Sequence, residues 1–322
     1  MPCIKIHTVK NGETGAYGVL NPFRVRMALF LDPFVSDRDK ALQREIEKNR
    51  LIPIYEFICL LRLRGFMLSE RAKTIFEKLN LDMPAVAIQY LPTKPDDTEA
   101  SDLKLAFCQY VIKAQEAERK FFISKENDAC MGKMTLGMIP KQPVTASGQA
   151  GVDFGIYKTR SACMKLYQKL PVLVPGAVNY VVFAPLSICD FNPNLIVIFA
   201  DDIKAEIIMR ATSYISGDLW ESISSPVISC SWMYAYPIIS GKVNHITTGF
   251  YHGLRRRKII RSGLRMISIP FNKIDEVVSS LYEMDWVTIA FREDEGSKAE
   301  MQHRIEHWQQ MALEMNCECE LH

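Results

Sequence analysis

Residues 178–200, VNYVVFAPLSICDFNPNLIVIFA, contain the two apolar runs that decide the fold class. The runs, 178–186 and 194–200, are rich in Val, Ile and Phe, and they are continuous rather than alternating in polarity. Such runs are typical of central strands that are covered on both faces. The segments PAVAIQYL at 84–91 and LRMISIP at 264–270 are predicted as further strands. We therefore expect a sheet that lies between layers of helices.

Helical patterns flank these strands. Ser36 precedes a charged helix predicted at 37–50, an apolar helix at 53–65 ends at Gly65, and a third begins after Ser69. Apolar residues at helical spacing predict later helices at about 101–119, 158–170, 202–215, 272–281 and 297–315.

The order of these elements predicts an α/β or α+β fold, with a mixed sheet covered by helices and an N-terminal helical cap. We expect three parts in the chain. They are an irregular segment and helical cap at 1–83, an α/β core domain at 84–285, and a C-terminal helix and tail at 286–322.

Composition limits the classes of partner. The chain has 322 residues, is 48% hydrophobic and 24% charged, and is therefore expected to form a globular fold. Its 39 Lys and Arg residues against 37 Asp and Glu residues give a net charge of +2, which predicts no general affinity for nucleic acid. The first residues carry no apolar signal core and no apolar run reaches membrane-spanning length, so we expect a cytoplasmic protein without membrane contact. We expect a small-molecule ligand as the partner and leave a homo-oligomer open.

Several short stretches, taken in order, resemble a prokaryotic family, domain-of-unknown-function family 169. The similarity extends from about Pro84 to Pro270 and rests on the stretches 84–87, 107–109, 129–130 with 136–137, 184–186 with 193–197, and 229–230 with 236–237. The resemblance implies family cysteine positions at Cys108, Cys130 and Cys230, and it implies no substrate. Family members also carry a glycine-led pair of cysteines separated by two residues, which is absent from the corresponding stretch 249–255 here.

These three cysteines are the first candidate site. The nine cysteines of the chain are spread along its whole length, which favours reduced thiols over a disulfide framework. Three thiolates can hold an iron–sulfur cluster or a zinc ion, with His252 as a fourth ligand, or they can act as reactive thiols. The alternative is that Cys108, Cys130 and Cys230 are three unrelated core residues, since cysteine is among the most buried residue types.

A second candidate metal site lies near the C-terminus. His303 and His307 are four residues apart and share one helix face, and a tail that folds back would add Cys317 and Cys319. Such a site would hold a structural zinc ion. The alternative is a solvated helix face followed by a loose tail.

The third candidate is an anion site in the basic segment 253–265, where the guanidinium groups of Arg255, Arg256, Arg257 and Arg261 can bind phosphate or carboxylate. The alternative is an exposed loop whose charges aid solubility.

Asp201 and Asp202 follow a predicted strand, where paired acids can act as a base or bind magnesium. Helix N-capping explains these two residues without a ligand, and we favour it.

The function therefore stays open between two main hypotheses, with a structural role within a larger assembly, through terminal helices that dock on a partner, as a third alternative. The first is a redox or thiol- or metal-dependent enzyme or accessory protein with a cysteine-lined site. The second is a non-catalytic binding module for a phosphorylated or carboxylated small molecule. The sequence does not decide whether the protein is an enzyme, and it lacks the dinucleotide, P-loop, hydrolase-elbow and zincin motifs.

Overall fold

The central feature of the molecule is a mixed sheet. The computed structural model of the chain describes residues 70–247 and 263–319, and the strands in these ranges form one seven-stranded sheet. The strands are β1 (Val86–Leu91), β2 (Glu99–Ala100), β3 (Phe121–Ser124), β4 (Tyr180–Pro185), β5 (Leu195–Ala200), β6 (Asn244–Thr247) and β7 (Arg265–Pro270). Their order is β2-β3-β4-β1-β5-β7-β6, with β2 and β3 parallel and the other neighbours antiparallel. The predicted mixed sheet is thus confirmed.

The two apolar runs, 178–186 and 194–200, contain β4 and β5, which lie one on each side of β1. Val86 of β1 lies opposite Pro185 of β4 and Val197 of β5. All six residues of β5 are buried, although successive side chains of a strand point to opposite faces. Both faces of this part of the sheet are therefore covered, as the continuous apolar run predicted.

The helices follow the sequence prediction in most places. Those that the structure describes are α1 (70–78), α2 (Phe107–Gln115), α3 (Gly132–Thr135), α4 (Pro143–Ala146), α5 (Gln149–Asp153), α6 (Arg160–Lys169), α7 (Asp202–Ala211), α8 (Tyr236–Ser240), α9 (Phe271–Glu283) and α10 (Glu295–Cys319). A π-helical turn at Ser231–Ala235 precedes α8, and 3₁₀ turns occur at Leu186–Ile188 and Ile289–Phe291. None of these helices is long and apolar enough to cross a membrane.

The predicted bounds of the helix at about 101–119 are wrong at both ends, because the helix spans Phe107–Gln115. Its first residues are extended instead, because Ser101 donates its backbone N–H to the Phe122 carbonyl at 2.8 Å and Leu105 bridges to Asp128. Helix α2 begins only at Phe107. Cys108 is therefore the second residue of the helix, and the bridge to Asp128 brings the segment that contains Cys130 next to it.

One face of the sheet supports the candidate site. Residues of β1, β4, β5 and β7 form a hydrophobic cluster with α2 and the π-helical turn, and this cluster includes Val86, Phe183 and Val197. The rings of Phe107 and Phe183 lie 5.3 Å apart within it. The face is well packed, so side chains placed on it are held in a fixed arrangement.

Two predicted helices of the N-terminal cap, 37–50 and 53–65, lie outside the described residues. The third is confirmed as α1. The chain divides into two compact units after Tyr282. The second unit contains α10, where the predicted final helix is confirmed and extends further in both directions. Its predicted apolar stripe includes Trp308 and Met315, and both side chains are exposed.

Candidate thiol site

The fold brings the three candidate cysteines to one region. Cys108 lies in the first turn of α2, Cys130 lies in the loop before α3, and Cys230 directly precedes the π-helical turn. Cys108 and Cys230 belong to the hydrophobic cluster on the sheet, and Cys130 packs against it. None of the three forms a disulfide.

Two of these thiols are in direct contact. The Cys130 side chain is hydrogen-bonded to the Cys230 side chain. This hydrogen bond, together with burial and the negative charge that Cys230 acquires as a thiolate, raises the pKa of the Cys130 thiol. A negative charge on one sulfur therefore disfavours ionisation of the Cys130 thiol that it contacts.

Backbone amides surround the Cys130 sulfur. Its Sγ atom accepts hydrogen bonds from the backbone N–H of Phe107 at 3.4 Å and from that of Gly132 at 3.3 Å. Phe107 is the first residue of α2 and Gly132 is the first residue of α3, so both amides are among those that a helix leaves unbonded. Hydrogen bonds to a sulfur favour its thiolate form, which is the nucleophilic form.

A buried carboxyl group adjoins the pair. Oδ1 of Asp128 accepts the backbone N–H of Cys130, and Lys133 donates to the Asp128 carbonyl at 2.8 Å. Burial raises the pKa of the Asp128 carboxyl group, while hydrogen bonds from the Cys130 backbone and thiol partly offset this effect. Oδ2 is buried and has no hydrogen-bond partner among the described residues.

A tyrosine hydroxyl completes the site. Tyr234 lies in the π-helical turn, is fully buried, and packs its ring 4.5 Å from that of Phe107. Burial, followed by the nearby sulfurs of Cys108, Cys230 and Cys130, raises its pKa well above the usual value. Its hydroxyl has no hydrogen-bond partner among the described residues. π-helical turns occur often at functional sites because they place side chains where an α-helix does not.

Neither Asp128 nor Tyr234 was a sequence candidate. Asp128 lies two residues before Cys130, a proximity that can be seen in the sequence but that has no specific spacing rule. Tyr234 is placed by the π-helical turn, for which the segment 229–241 carries no recognised pattern.

The described residues do not supply a metal-binding arrangement. No group of three or more His, Cys, Asp or Glu residues in 70–247 and 263–319 is placed to hold a metal ion. His252, the predicted fourth ligand, lies outside these ranges. An iron–sulfur cluster or zinc at Cys108, Cys130 and Cys230 therefore stays a prediction from the sequence.

The second predicted metal site has a different geometry from that expected. His303 and His307 are exposed on α10, and α10 continues as one helix through Cys319. The backbone therefore does not fold back after the histidines. At a rise of ~1.5 Å per residue, Cys317 lies about 15 Å along the axis from His307, which is too far for the four residues to share one zinc ion.

The predicted anion site lies outside the described residues, so the roles of Arg255, Arg256, Arg257 and Arg261 stay predictions.

Of the two acids after β5, Asp201 is the N-cap of α7, and its side chain accepts the backbone N–H of Lys204 at 2.8 Å. Asp202 is paired with Arg265 at 2.8 Å. The N-cap interpretation, favoured over a catalytic pair, agrees with this geometry.

Fold and site together define an α/β protein with a thiol pair buried on one face of a mixed sheet. The chain belongs to the DUF169 family, whose model, described as Uncharacterised ArCR, matches residues 74–280. It is also similar to a protein of Methanocaldococcus jannaschii named Uncharacterized protein MJ0308, with 25% identity over 218 residues that cover 66% of this chain and 92% of that protein. No solved structure matches the chain significantly.

Proposed function

We propose that the protein acts in thiol–disulfide redox chemistry, with Cys130 and Cys230 as the reactive pair. The observation that carries this proposal is the hydrogen bond between two thiols that belong to distant segments of the chain. Two thiols in contact need little rearrangement to form a disulfide, whereas separated thiols need a movement of the backbone.

The surroundings of the pair support this chemistry. The amides of Phe107 and Gly132 favour a thiolate at Cys130, the species that attacks in thiol–disulfide exchange. They oppose the larger effects of the Cys230 contact and of burial, which raise the pKa of the Cys130 thiol overall. Cys130 is half-buried and Cys230 is buried, so an oxidant meets Cys130 first. Cys130 is therefore the attacking residue and Cys230 the residue that closes the disulfide.

Oxidation of the pair forms one S–S bond and releases two electrons and two protons. A two-electron oxidant must accept them. In the experiment below that oxidant is diamide, whose N=N double bond becomes a single bond with two new N–H bonds.

The test is disulfide mapping after oxidation. The full chain is treated with diamide, digested without reduction, and analysed by mass spectrometry. We expect a cross-linked peptide pair containing Cys130 and Cys230, which dithiothreitol separates. Cys130→Ser and Cys230→Ser should each abolish this species.

Cys189→Ser provides the matched control. Cys189 is buried and donates its thiol to the Phe191 carbonyl at 3.1 Å, a hydrogen bond that serine can also make. This variant should form the cross-link as the parent protein does. Recovery of Cys130 and Cys230 as separate thiols from the oxidised parent protein would overturn the proposal.

A further inference from the structure

We infer that the oxidant of the thiol pair is a small hydroperoxide, with hydrogen peroxide as the simplest case, and that the Tyr234 hydroxyl binds its oxygen. This inference rests on the proposed thiol redox function. It adds the class of substrate and a residue that binds it.

The Tyr234 hydroxyl is a hydrogen-bond donor without an acceptor. It is fully buried, it lacks a hydrogen-bond partner among the described residues, and it lies within electrostatic range of Cys108, Cys130 and Cys230. A buried polar group without a partner costs about 1–3 kcal/mol, and this cost is recovered when an acceptor enters. The oxygen atoms of a hydroperoxide are such acceptors.

Burial limits the size of the molecule that reaches the sulfurs. Cys108 is 3% exposed, Cys230 is 9% exposed and Tyr234 is fully buried, while Cys130 alone is partly exposed. The disulfide of a folded protein is too large to approach sulfurs that are this enclosed, whereas a small-molecule oxidant can reach the partly exposed Cys130. Hydrogen peroxide has only two heavy atoms, so among oxidants it needs the least space beside Cys130.

The backbone amides around Cys130 suit the attack of its sulfur on a peroxide. The backbone N–H groups of Phe107 and Gly132 point at the sulfur, so they stabilise negative charge on it when the thiol loses its proton. Oriented donors around a developing anion are among the largest contributions to catalysis. The Tyr234 hydroxyl adds a donor for the oxygen.

The reaction balances in two steps. The Cys130 sulfur attacks one peroxide oxygen, so that an S–O bond forms and the O–O bond breaks, and the departing hydroxide takes the thiol proton and leaves as water. The Cys230 sulfur then attacks the Cys130 sulfenic acid, an S–S bond forms, the S–O bond breaks, and the hydroxide leaves with the Cys230 proton as a second water. Two thiols and one hydrogen peroxide thus give one disulfide and two waters.

The experiment traps the intermediate. Cys230→Ser cannot close the disulfide, so its Cys130 sulfenic acid should accumulate with hydrogen peroxide and be labelled by dimedone at the Cys130 peptide. Tyr234→Phe in the same background removes only the unpartnered hydroxyl, and we expect it to slow labelling by about a hundredfold, the usual effect of removing one oriented donor. Tyr214→Phe, an exposed tyrosine, is the control and should react as the parent does. Thermal unfolding of each variant verifies that the fold is retained.

The outcomes separate the two proposals. If diamide links Cys130 to Cys230 but hydrogen peroxide gives neither sulfenic acid nor disulfide, the peroxide inference is wrong and the thiol redox function stands. Equal rates in the Tyr234→Phe and Tyr214→Phe variants would remove the role of Tyr234. If neither oxidant links the pair, the proposed function itself is wrong.

Discussion

Oδ1 of Asp128 accepts a hydrogen bond of 2.9 Å from the backbone N–H of Cys130, so a buried carboxyl group holds the loop that carries the Cys130 sulfur. Asp128 is only 2% exposed. The group therefore combines two opposing effects, because its hydrogen bonds stabilise the loop while burial of its charge destabilises the folded state.

Asp128→Asn should change the pH dependence of stability. Relative to the parent protein, the variant should be more stable at neutral pH than at acid pH. Burial raises the pKa of this carboxyl group in the folded state, so its contribution to stability is fully present below its unfolded pKa and is lost as the pH rises through the folded pKa. Asparagine keeps an oxygen for the Cys130 N–H and carries no charge. Denaturant unfolding should show that the stability of the variant minus that of the parent increases by about 1 kcal/mol between pH 4 and pH 8.

Asp102→Asn, at an exposed position, is the control for this measurement and should show no such change with pH. A constant difference between parent and Asp128→Asn at both pH values would contradict the assignment of the effect to the buried charge.

Gly132→Ala should destabilise the site. A β-carbon at position 132 would lie 2.6 Å from Oδ2 of Asp128 and 2.6 Å from Cβ of Phe107, closer than real contacts allow. Forcing extra volume into a packed region costs about 1–3 kcal/mol, and we expect a loss of this size in chemical denaturation. The same change at Gly296 of α10, where the nearest atom is Oδ1 of Asp294 at 3.3 Å, should cost less, and an equal loss in both variants would contradict a steric cause.

Cys230→Ser should make Cys130 more reactive toward iodoacetamide. The hydrogen bond to Cys230 is the largest cause of the raised pKa of Cys130, and the Cys230 charge adds to it. Serine does not ionise, so the pKa of Cys130 should fall and its alkylation rate at pH 8 should increase, measured on the Cys130 peptide by mass spectrometry. Cys189→Ser should leave this rate unchanged, and a slower rate in Cys230→Ser would show that Cys230 activates its partner instead.

Asn244→Ala should loosen the π-helical turn that places Tyr234. The fully buried Asn244 side chain accepts the Ile223 N–H at 3.0 Å and donates to the carbonyls of Ile223 and Trp232, each at 2.9 Å. Alanine leaves these backbone groups without partners, at a cost of about 3 kcal/mol in unfolding free energy. Hydrogen exchange at 231–235 should increase as well.

Gln142→Ala is the control for Asn244→Ala. Gln142 is exposed and makes one long hydrogen bond to Pro140, so its removal should change neither stability nor exchange. Unaltered exchange at 231–235 in Asn244→Ala would show that the turn is held by packing alone.

Four strands, β1, β4, β5 and β7, follow from the amino-acid sequence alone, whereas the short strands β2, β3 and β6 are not predicted from it. Continuous runs of Val, Ile and Phe at 178–186 and 194–200 have few alternatives to a sheet covered on both faces, because exposure of either face would leave apolar surface in water. The sequence also indicated Cys108, Cys130 and Cys230 as candidates through the resemblance to family members. It misplaced the start of α2, because the extended pairing of 101–105 with 122 and 128 depends on residues that are distant in the chain.

Which groups meet at the site depends on tertiary packing. The contact between Cys130 and Cys230, the burial of Asp128 and the unpartnered hydroxyl of Tyr234 arise where a loop, a π-helical turn and the end of α2 pack on one sheet face. Local propensity depends on neighbours within a few residues, whereas these contacts join segments whose proximity is set by sheet register and core packing. The same physics separates the histidines from the cysteines of α10, since an unbroken helix keeps residues ten positions apart at a fixed distance.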